Sequence, residues 1–270
     1  MSAVTVTVAE RVATVVLDRP HRHNAWTGRM HAEYREAMAA LDADPAVRCV
    51  VVTGAGDTFC VGADSQALAG HAERGRYDPG LPAEPATPGY GVRPEWDHDF
   101  AWHFGLRIPV VARVNGACAG VGLVLACYCD LRVALATAKL TTAAPQLGLP
   151  AEYGLSWLLP RLIGATRAAD LLLTGRIVTA ADPVADGLFN TVAGSVAELD
   201  DAVDHYARRF ADAVSPLAVT TAKRQLWGDL LETDVGQAVD RSRALLDELM
   251  AGPEYREGVA ALREKRKPDF

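Results

Sequence analysis

Twice along this 270-residue chain, a continuous apolar run breaks into a glycine-rich turn and then resumes in small residues ahead of a helix-like stretch. The first run is Cys49-Val50-Val51-Val52-Thr53, followed by the turn and small residues of 54–64. The second is Val110-Val111-Ala112-Arg113-Val114, followed by Asn115-Gly116-Ala117-Cys118-Ala119-Gly120-Val121-Gly122. Such apolar runs suit strands covered on both faces. Turns of this kind leave backbone N–H groups unpaired and pointing outward. Either turn alone reads as a tight connection that needs glycine. Aimed at one spot, the two would form a pocket for a developing negative charge, an oxyanion hole with donors near Ala63 and Val121.

The flanking segments point to an α/β domain. Residues 4–8 alternate with period two and residues 12–17 follow after a short charged turn, the pattern of a hairpin that Asp18-Arg19-Pro20 stops. Thr27 is placed to cap a helix carrying Met30, Tyr34, Met38 and Leu41 at helical spacing, ended near Pro45. A strand follows at 48–53. The order strand, strand, helix, strand implies crossover connections. Further on, 95–107 reads as a helix, 109–114 as a strand, 123–129 as a short buried helix and 130–135 as a strand. After Gly164 the pattern turns helical over 165–173, 180–187, 196–214, 216–231, 234–250 and 253–265. Ser215 and Thr233 sit where N-caps belong, and Pro216 and Pro253 suit first-turn positions. The last helices carry more apolar surface than one layer needs, which points to an oligomer interface. Residues 69–94 are rich in Gly, Pro and charge, and read either as a lid over a ligand or as a disordered insertion.

Composition narrows the classes. Half of the residues are hydrophobic, enough for a sizeable core, and the net charge of −7 is scattered without a basic stripe. Nucleic acid is therefore a poor partner. The basic run 263–267 reads as a solvated helix end, with a ligand phosphate as the alternative contact. The five cysteines are odd in number, lack zinc-type spacing and sit in apolar surroundings, as buried thiols in a reducing compartment would. No basic-then-apolar leader pattern opens the chain, and no apolar run reaches the roughly 18 residues of a membrane helix. A cytoplasmic protein without a membrane partner is expected.

A thioester carbonyl is the kind of group two such N–H donors would serve. It gains negative charge when its α-proton leaves or when a nucleophile adds at its β-carbon. Val121 would also open the helix through Leu123–Ala126, whose partial positive end favours the same anion.

Four ordered stretches now carry a resemblance: Arg19-Pro20-His21-Arg22-His23-Asn24-Ala25, residues 53–64, Val114-Asn115-Gly116-Ala117-Cys118-Ala119-Gly120, and Leu158-Leu159-Pro160-Arg161-Leu162-Ile163-Gly164. Together they resemble the enoyl-CoA hydratase/isomerase (crotonase) family over essentially the whole chain. The resemblance implies a crotonase-like spiral of ββα units over 1–195 and a C-terminal helical trimerisation region over 196–270, the assembly being a trimer or a hexamer made of two trimers. It implies an acyl-CoA thioester as ligand, coenzyme A being part of the substrate and not a separate cofactor. The donors carry over to the N–H groups of Ala63 and Val121. Coenzyme A is expected near Arg22, His23, Ala63, Asp64, Ser65, Gln66 and Gly120, with Lys223 as a phosphate contact.

The departures from that family decide the chemistry. Hydratases of the family use two glutamates, and the matching positions here are Val124 and Ala144. Neither side chain can move a proton. One acid remains, Glu152, at a position that resembles the working aspartate of dienoyl-CoA isomerases, of a phenylacetate-pathway isomerase and of 4-chlorobenzoyl-CoA dehalogenase. A single carboxylate suffices to move a proton between carbons, since the same group removes and returns it. Surrounded by Leu149, Tyr153, Leu155 and Trp157, its carboxyl pKa should rise. The alternative is a surface glutamate capping the helix from Leu155. Isomerisation with Glu152 as sole acid/base therefore leads. Its rivals are hydration by a non-standard route, a catalytically weak acyl-CoA binder, and hydrolysis or dehalogenation with Glu152 as nucleophile. His98 and His103, with Asp97 and Asp99 beside His98, read as a polar helix face or as a source of a base. Ser156 lacks a nucleophile-elbow pattern. The Gly120-Val121-Gly122 stretch lacks the third glycine of a dinucleotide fingerprint.

Overall fold

In the computed structural model, which describes residues 2–75 and 94–270, β1 (Val4–Ala9) and β2 (Val12–Leu17) form the expected antiparallel hairpin. Glu10 and Arg11 between them both take positive φ, at 48° and 68°, the two-residue turn whose twist matches that of its strands. α1 (Gly28–Ala43) opens on Thr27, whose side chain accepts from the Met30 N–H, and buries Met30, Tyr34 and Met38. It returns the chain to β3 (Cys49–Gly54), which lies parallel to β2 and is buried along its whole length.

From β3 onward the chain winds in turns. The strands β3, β5 (Val110–Val114), β7 (Leu131–Leu135) and β10 (Thr191–Ala193) extend a six-stranded sheet ordered β1-β2-β3-β5-β7-β10. The short strands β4 (Thr58–Cys60), β6 (Ala117–Ala119), β8 (Lys139–Thr141) and β9 (Val178–Thr179) stack into a second sheet in that order. Each turn then adds a helix: α2 (Ser65–Arg74), α3 (Val121–Tyr128) and α4 (Leu155–Thr174). This is the crotonase-like spiral of ββα units. Stacked parallel strands bring the ends of β4 and β6, and so the two glycine-rich turns, side by side.

Four helices complete the chain: α5 (Val196–Asp212), α6 (Pro216–Asp229), α7 (Val235–Met250) and α8 (Pro253–Glu264). α5 lays Leu199, Val203 and Ala207 on the large sheet against Cys49, Val51, Val111 and Val133. α5 thus covers the core, and α6 adds Trp227 to it, stacked on Phe104. α7 buries none of its residues, and Val235, Leu246, Met250 and Leu262 stand exposed along α7 and α8.

Several local expectations change. Residues 95–107 form two short 3-10 turns, Pro94–Trp96 and Ala101–Gly105, in place of one helix. Phe100 breaks them with φ 60° and ψ −33°, in a turn closed by the Ala101 N–H donating to the Asp99 carbonyl at 2.8 Å. Phe100, Trp102, His103 and Phe104 are all buried, more of the segment than one helical face can bury. Within 180–187 only Pro183–Ala185 is helical, started by the Asp182 side chain. The cap of α7 is Asp234 and not Thr233. Helix 165–173 is the second half of α4, beyond a break at Gly164. α2 runs to Arg74, so the glycine- and proline-rich stretch starts later than residue 69; its remainder, 76–93, lies outside the described residues. No helix among the described residues is long and apolar enough to cross a membrane. The five cysteines are free and buried.

Candidate active site

Two buried asparagines hold the first turn. Asn24 donates through Nδ2 to the carbonyls of Ala55 and Thr58, at 2.9 and 2.7 Å. Asn115 accepts from the Gly54 N–H at 3.3 Å and donates to the carbonyls of Gly54 and Gly56, at 3.0 and 2.9 Å. The turn is thereby fixed from both sides before it reaches Gly62. There Trp26 forms a parallel bridge with Ala63: the Trp26 N–H donates to the Gly62 carbonyl at 2.7 Å and the Asp64 N–H donates to the Trp26 carbonyl at 2.9 Å. Alternation along an extended strand turns the Ala63 N–H to the opposite side.

The second turn ends on Gly120, held by its N–H donating to the Thr141 carbonyl at 3.0 Å. Its φ of 48° and ψ of −123° lie where only glycine is at ease. α3 starts at the next residue, so the Val121 N–H is one of the helix's unsatisfied donors. The glycines ahead of the two amides are in contact: a Cβ on Gly120 would sit 3.6 Å from the Gly62 Cα. Gly122 allows the same closeness one step later, since a Cβ there would fall 2.3 Å from the Cys60 carbonyl oxygen. Among the described residues, neither the Ala63 nor the Val121 N–H has an acceptor. Two free amides on touching turns, one at a helix N-terminus, can hold an anionic oxygen.

Glu152 lies in the loop before α4, half-buried. Burial raises its carboxyl above the ordinary glutamate value, and burial is the cause of that shift. Its backbone carbonyl accepts the Leu155 N–H at 2.9 Å, but α4 starts on Gly154 with no side-chain cap, so the carboxylate is not a helix cap. Tyr153 and Gly154 both take left-handed conformations, with φ 48° and 73°. The Tyr153 ring packs on Phe100 at 5.0 Å, and Phe100 on Trp26 at 5.5 Å. This row of rings links the neighbour of Glu152 to the bridging partner of Ala63. The positions expected to lack acids do so within the core: Val124 and Ala144 are both buried.

Beside this row lies a cavity of about 530 Å³ walled by Trp96, Phe104, Tyr128, Tyr153, Trp157 and Leu231. Glu95, His98 and Asp99 also face it. Glu152, Ala63 and Val121 are not among its walls, so the cavity is a neighbour of the turns and not the place between them. Asp99 Oδ1 stands 3.8 Å from Nε2 of buried His31 and 4.0 Å from Nη1 of Arg35. Burial pushes the His31 imidazole down to about 4, against the pull of Asp99. His103 is fully buried. Its Nδ1–H donates to the Phe100 carbonyl at 2.6 Å, which leaves Nε2 to accept from the Tyr34 hydroxyl at 2.8 Å. With burial holding its pKa near 3, His103 is a neutral packing group and not a base.

The residues expected around coenzyme A divide. Arg22 Nη2 donates to Asp64 Oδ1 and to Ser65 Oγ, both at 3.2 Å, and Arg19 Nη2 reaches Asp64 Oδ2 at 3.0 Å. Asp64 caps α2 by accepting the Gln66 N–H at 3.0 Å. Burial would raise the Asp64 carboxyl, but the Gln66 N–H and the two guanidiniums outweigh it and hold it low. His23 is exposed on the same edge, its carbonyl accepting the Val61 N–H at 3.3 Å. Arg22, His23, Asp64, Ser65 and Gln66 are thus gathered around Ala63. Lys223 is elsewhere: its Nζ is buried, donating to the Ile108 carbonyl at 2.9 Å and pairing with Asp130 Oδ2 at 2.6 Å. A structural ion pair replaces the expected phosphate contact. Sequence reasoning gave no role to Trp26, to Asn24 or to Asn115, and placed Asp99 only beside His98. For Asn115 a signal existed, an amide residue directly between a strand and a glycine.

The family model described as enoyl-CoA hydratase/isomerase matches residues 7–270. The 1,2-epoxyphenylacetyl-CoA isomerase of Escherichia coli is 32% identical, the match covering 97% of this chain and 96% of that protein. The mevalonyl-coenzyme A hydratase SIDH of Beauveria bassiana is 32% identical over 95% of this chain and 90% of its own. The crystal structure of an enoyl-CoA hydratase from Bacillus anthracis superposes with a TM-score of 0.84 at 26% identity, covering 99% of this chain and 98% of that one.

Proposed function

This chain belongs to the enoyl-CoA hydratase/isomerase family, and on that premise we propose that it isomerises a double bond in an acyl-CoA thioester with Glu152 as its single acid/base. The thioester oxygen accepts hydrogen bonds from the Ala63 and Val121 N–H groups. The Glu152 carboxylate removes a proton from the acyl chain, the electron pair moves into the thioester as an enolate, and the same carboxyl returns the proton at the other end of the shifted double bond. Fixed donors in such a site stabilise the enolate without reorganisation. A carboxyl raised by burial is suited to both halves of the transfer near neutral pH.

The observation that carries this reading is the pairing of two free amides on touching turns with apolar side chains at 124 and 144. Hydration by two carboxylates lacks its carboxylates. The nucleotide end of coenzyme A lies along Arg22, His23 and the 63–66 segment, and coenzyme A is part of the substrate. The exposed apolar side chains of α7 and α8 support self-association as a trimer or a dimer of trimers, which light scattering tests.

The test of the chemistry is solvent exchange. In D₂O, 3-enoyl- and 2-enoyl-CoA esters should interconvert and take up deuterium at the carbons α and γ to the thioester, and Glu152→Gln should abolish both. Exchange that persists in the variant removes Glu152 from the mechanism. A 3-hydroxyacyl product would instead mark hydration. A covalent adduct on Glu152 in the intact mass would mark a nucleophile, and binding of several esters without turnover of any would mark a binder.

A further inference from the structure

We propose that the acyl group this site takes ends in an aromatic ring bearing a hydroxyl, seated in the cavity at the far end of α3 with the hydroxyl on Asp99. The proposal rests on the acyl-CoA reading above.

Three features of the cavity carry it. The first is reach. α3 runs from the Val121 amide to Tyr128 on the cavity wall, seven residue steps or about 10 Å along its axis. A carbonyl held at Val121 therefore needs an acyl group of comparable length to fill the cavity, beyond a four-carbon chain. A ring one CH₂ beyond the double bond covers that span and keeps a proton γ to the thioester for the isomerisation. The second is the wall. Five aromatic side chains face one space of about 530 Å³. Rings gain from edge-to-face and offset contact with other rings beyond plain area burial, which an alkyl chain does not. Trp157 is itself fixed by the Arg161 guanidinium, 4.0 Å from its ring centre.

The third is the polar end. Asp99 faces the cavity. A bare alkyl terminus would strip water from this carboxylate and return no hydrogen bond, which is costly. A hydroxyl returns one. Asp99 is the group in position to receive it, since its backbone is fixed by the turn at Phe100 and its Oδ1 faces His31 and Arg35. The His31 Nε2 is buried with no hydrogen-bond partner, 3.8 Å from that oxygen, a distance that a small movement of Asp99 on ligand binding would close. Each carboxylate oxygen then has a role: Oδ1 toward the two basic side chains and Oδ2 toward the ligand.

The experiment is equilibrium binding of four CoA esters to the full-length protein: 4-hydroxycinnamoyl-CoA, cinnamoyl-CoA, trans-2-decenoyl-CoA and crotonyl-CoA, the two cinnamoyl esters having no γ proton and serving as binding probes that cannot turn over. The two aryl esters should bind about tenfold more tightly than crotonyl-CoA and more tightly than decenoyl-CoA. The hydroxylated ester should gain about tenfold more over cinnamoyl-CoA. Asp99→Asn should erase the gain from the hydroxyl and leave cinnamoyl-CoA unchanged, and Trp157→Leu should weaken both aryl esters alone. Tighter binding of the alkyl esters, or an Asp99→Asn loss shared by all four, overturns the proposal while the acyl-CoA reading stands. Failure of all four esters to bind overturns both.

Discussion

Gly62 and Gly120 lie in backbone contact, a Cβ on Gly120 reaching to 3.6 Å of the Gly62 Cα. Space is not what forbids a side chain at Gly120, because that distance is ordinary contact. Conformation forbids it: φ 48° with ψ −123° costs a non-glycine residue about 1–3 kcal/mol. Gly120→Ala will relieve that strain by rotating the peptide that carries the Val121 N–H. Turnover should fall by about 10²–10³ with little change in the affinity for the CoA ester. Steady-state kinetics beside far-UV circular dichroism check this; a variant with normal kcat would place the acyl oxygen elsewhere.

Glu152 has a raised carboxyl pKa in the folded chain, caused by burial. A carboxyl raised on folding favours the protonated native state. Its contribution to stability is therefore present below the unfolded glutamate pKa of about 4.3 and is lost as pH rises through the folded value. Glu152→Gln removes a buried charge that is unfavourable at neutral pH. The variant should melt above the parent at pH ~8, and the two should converge toward pH ~4. Activity moves the other way. The parent's kcat should fall as acid protonates Glu152, with its midpoint above the ordinary glutamate value, and the variant should be inactive at every pH. A variant that melts lower at pH ~8 would mean that the carboxylate has a favourable partner.

The sequence made some of this legible for a physical reason. In β3 and β5 the apolar residues run without interruption because both sheet faces are covered, and the hairpin and α1 announce themselves through alternation and through Thr27. The two glycine turns were readable because glycine at positive φ has few substitutes. What could not be read depends on partners distant in sequence. Phe104 is buried because Trp227 of α6 stacks on it at 4.0 Å, so 95–107 follows the shape of the core and not a helical period. Likewise the composition around Lys223 does not reveal that its partner is Asp130.

That pair gives a third prediction. Asp130 accepts from the Val110 N–H and the Trp227 Nε1–H, both at 2.8 Å, and from Lys223. Removing the ammonium leaves a carboxylate enclosed by groups that cannot neutralise it. Lys223→Met should destabilise the protein by about 3–5 kcal/mol. Binding of a CoA ester at a temperature where the variant is folded should be unchanged. Denaturant unfolding and binding titration measure the two separately, and weakened binding without lost stability would restore the phosphate role.

Arg22 provides the complementary case. Its guanidinium is only partly buried, and it shares Asp64 with Arg19. Because Arg19 remains on Asp64 when Arg22 is removed, Arg22→Ala keeps that carboxylate paired and should change stability little, as exposed ion pairs do. If the nucleotide end of coenzyme A lies on this edge, the variant loses a charge-assisted contact to phosphate, and affinity for a CoA thioester should drop by about tenfold. The corresponding thioester of N-acetylcysteamine carries no phosphate and should bind the parent and the variant alike. Both thioesters share the acyl group and the oxyanion contacts, so the difference between them isolates the nucleotide. Equal losses for the two would show that Arg22 acts through the Asp64–Ala63 backbone and not on the ligand.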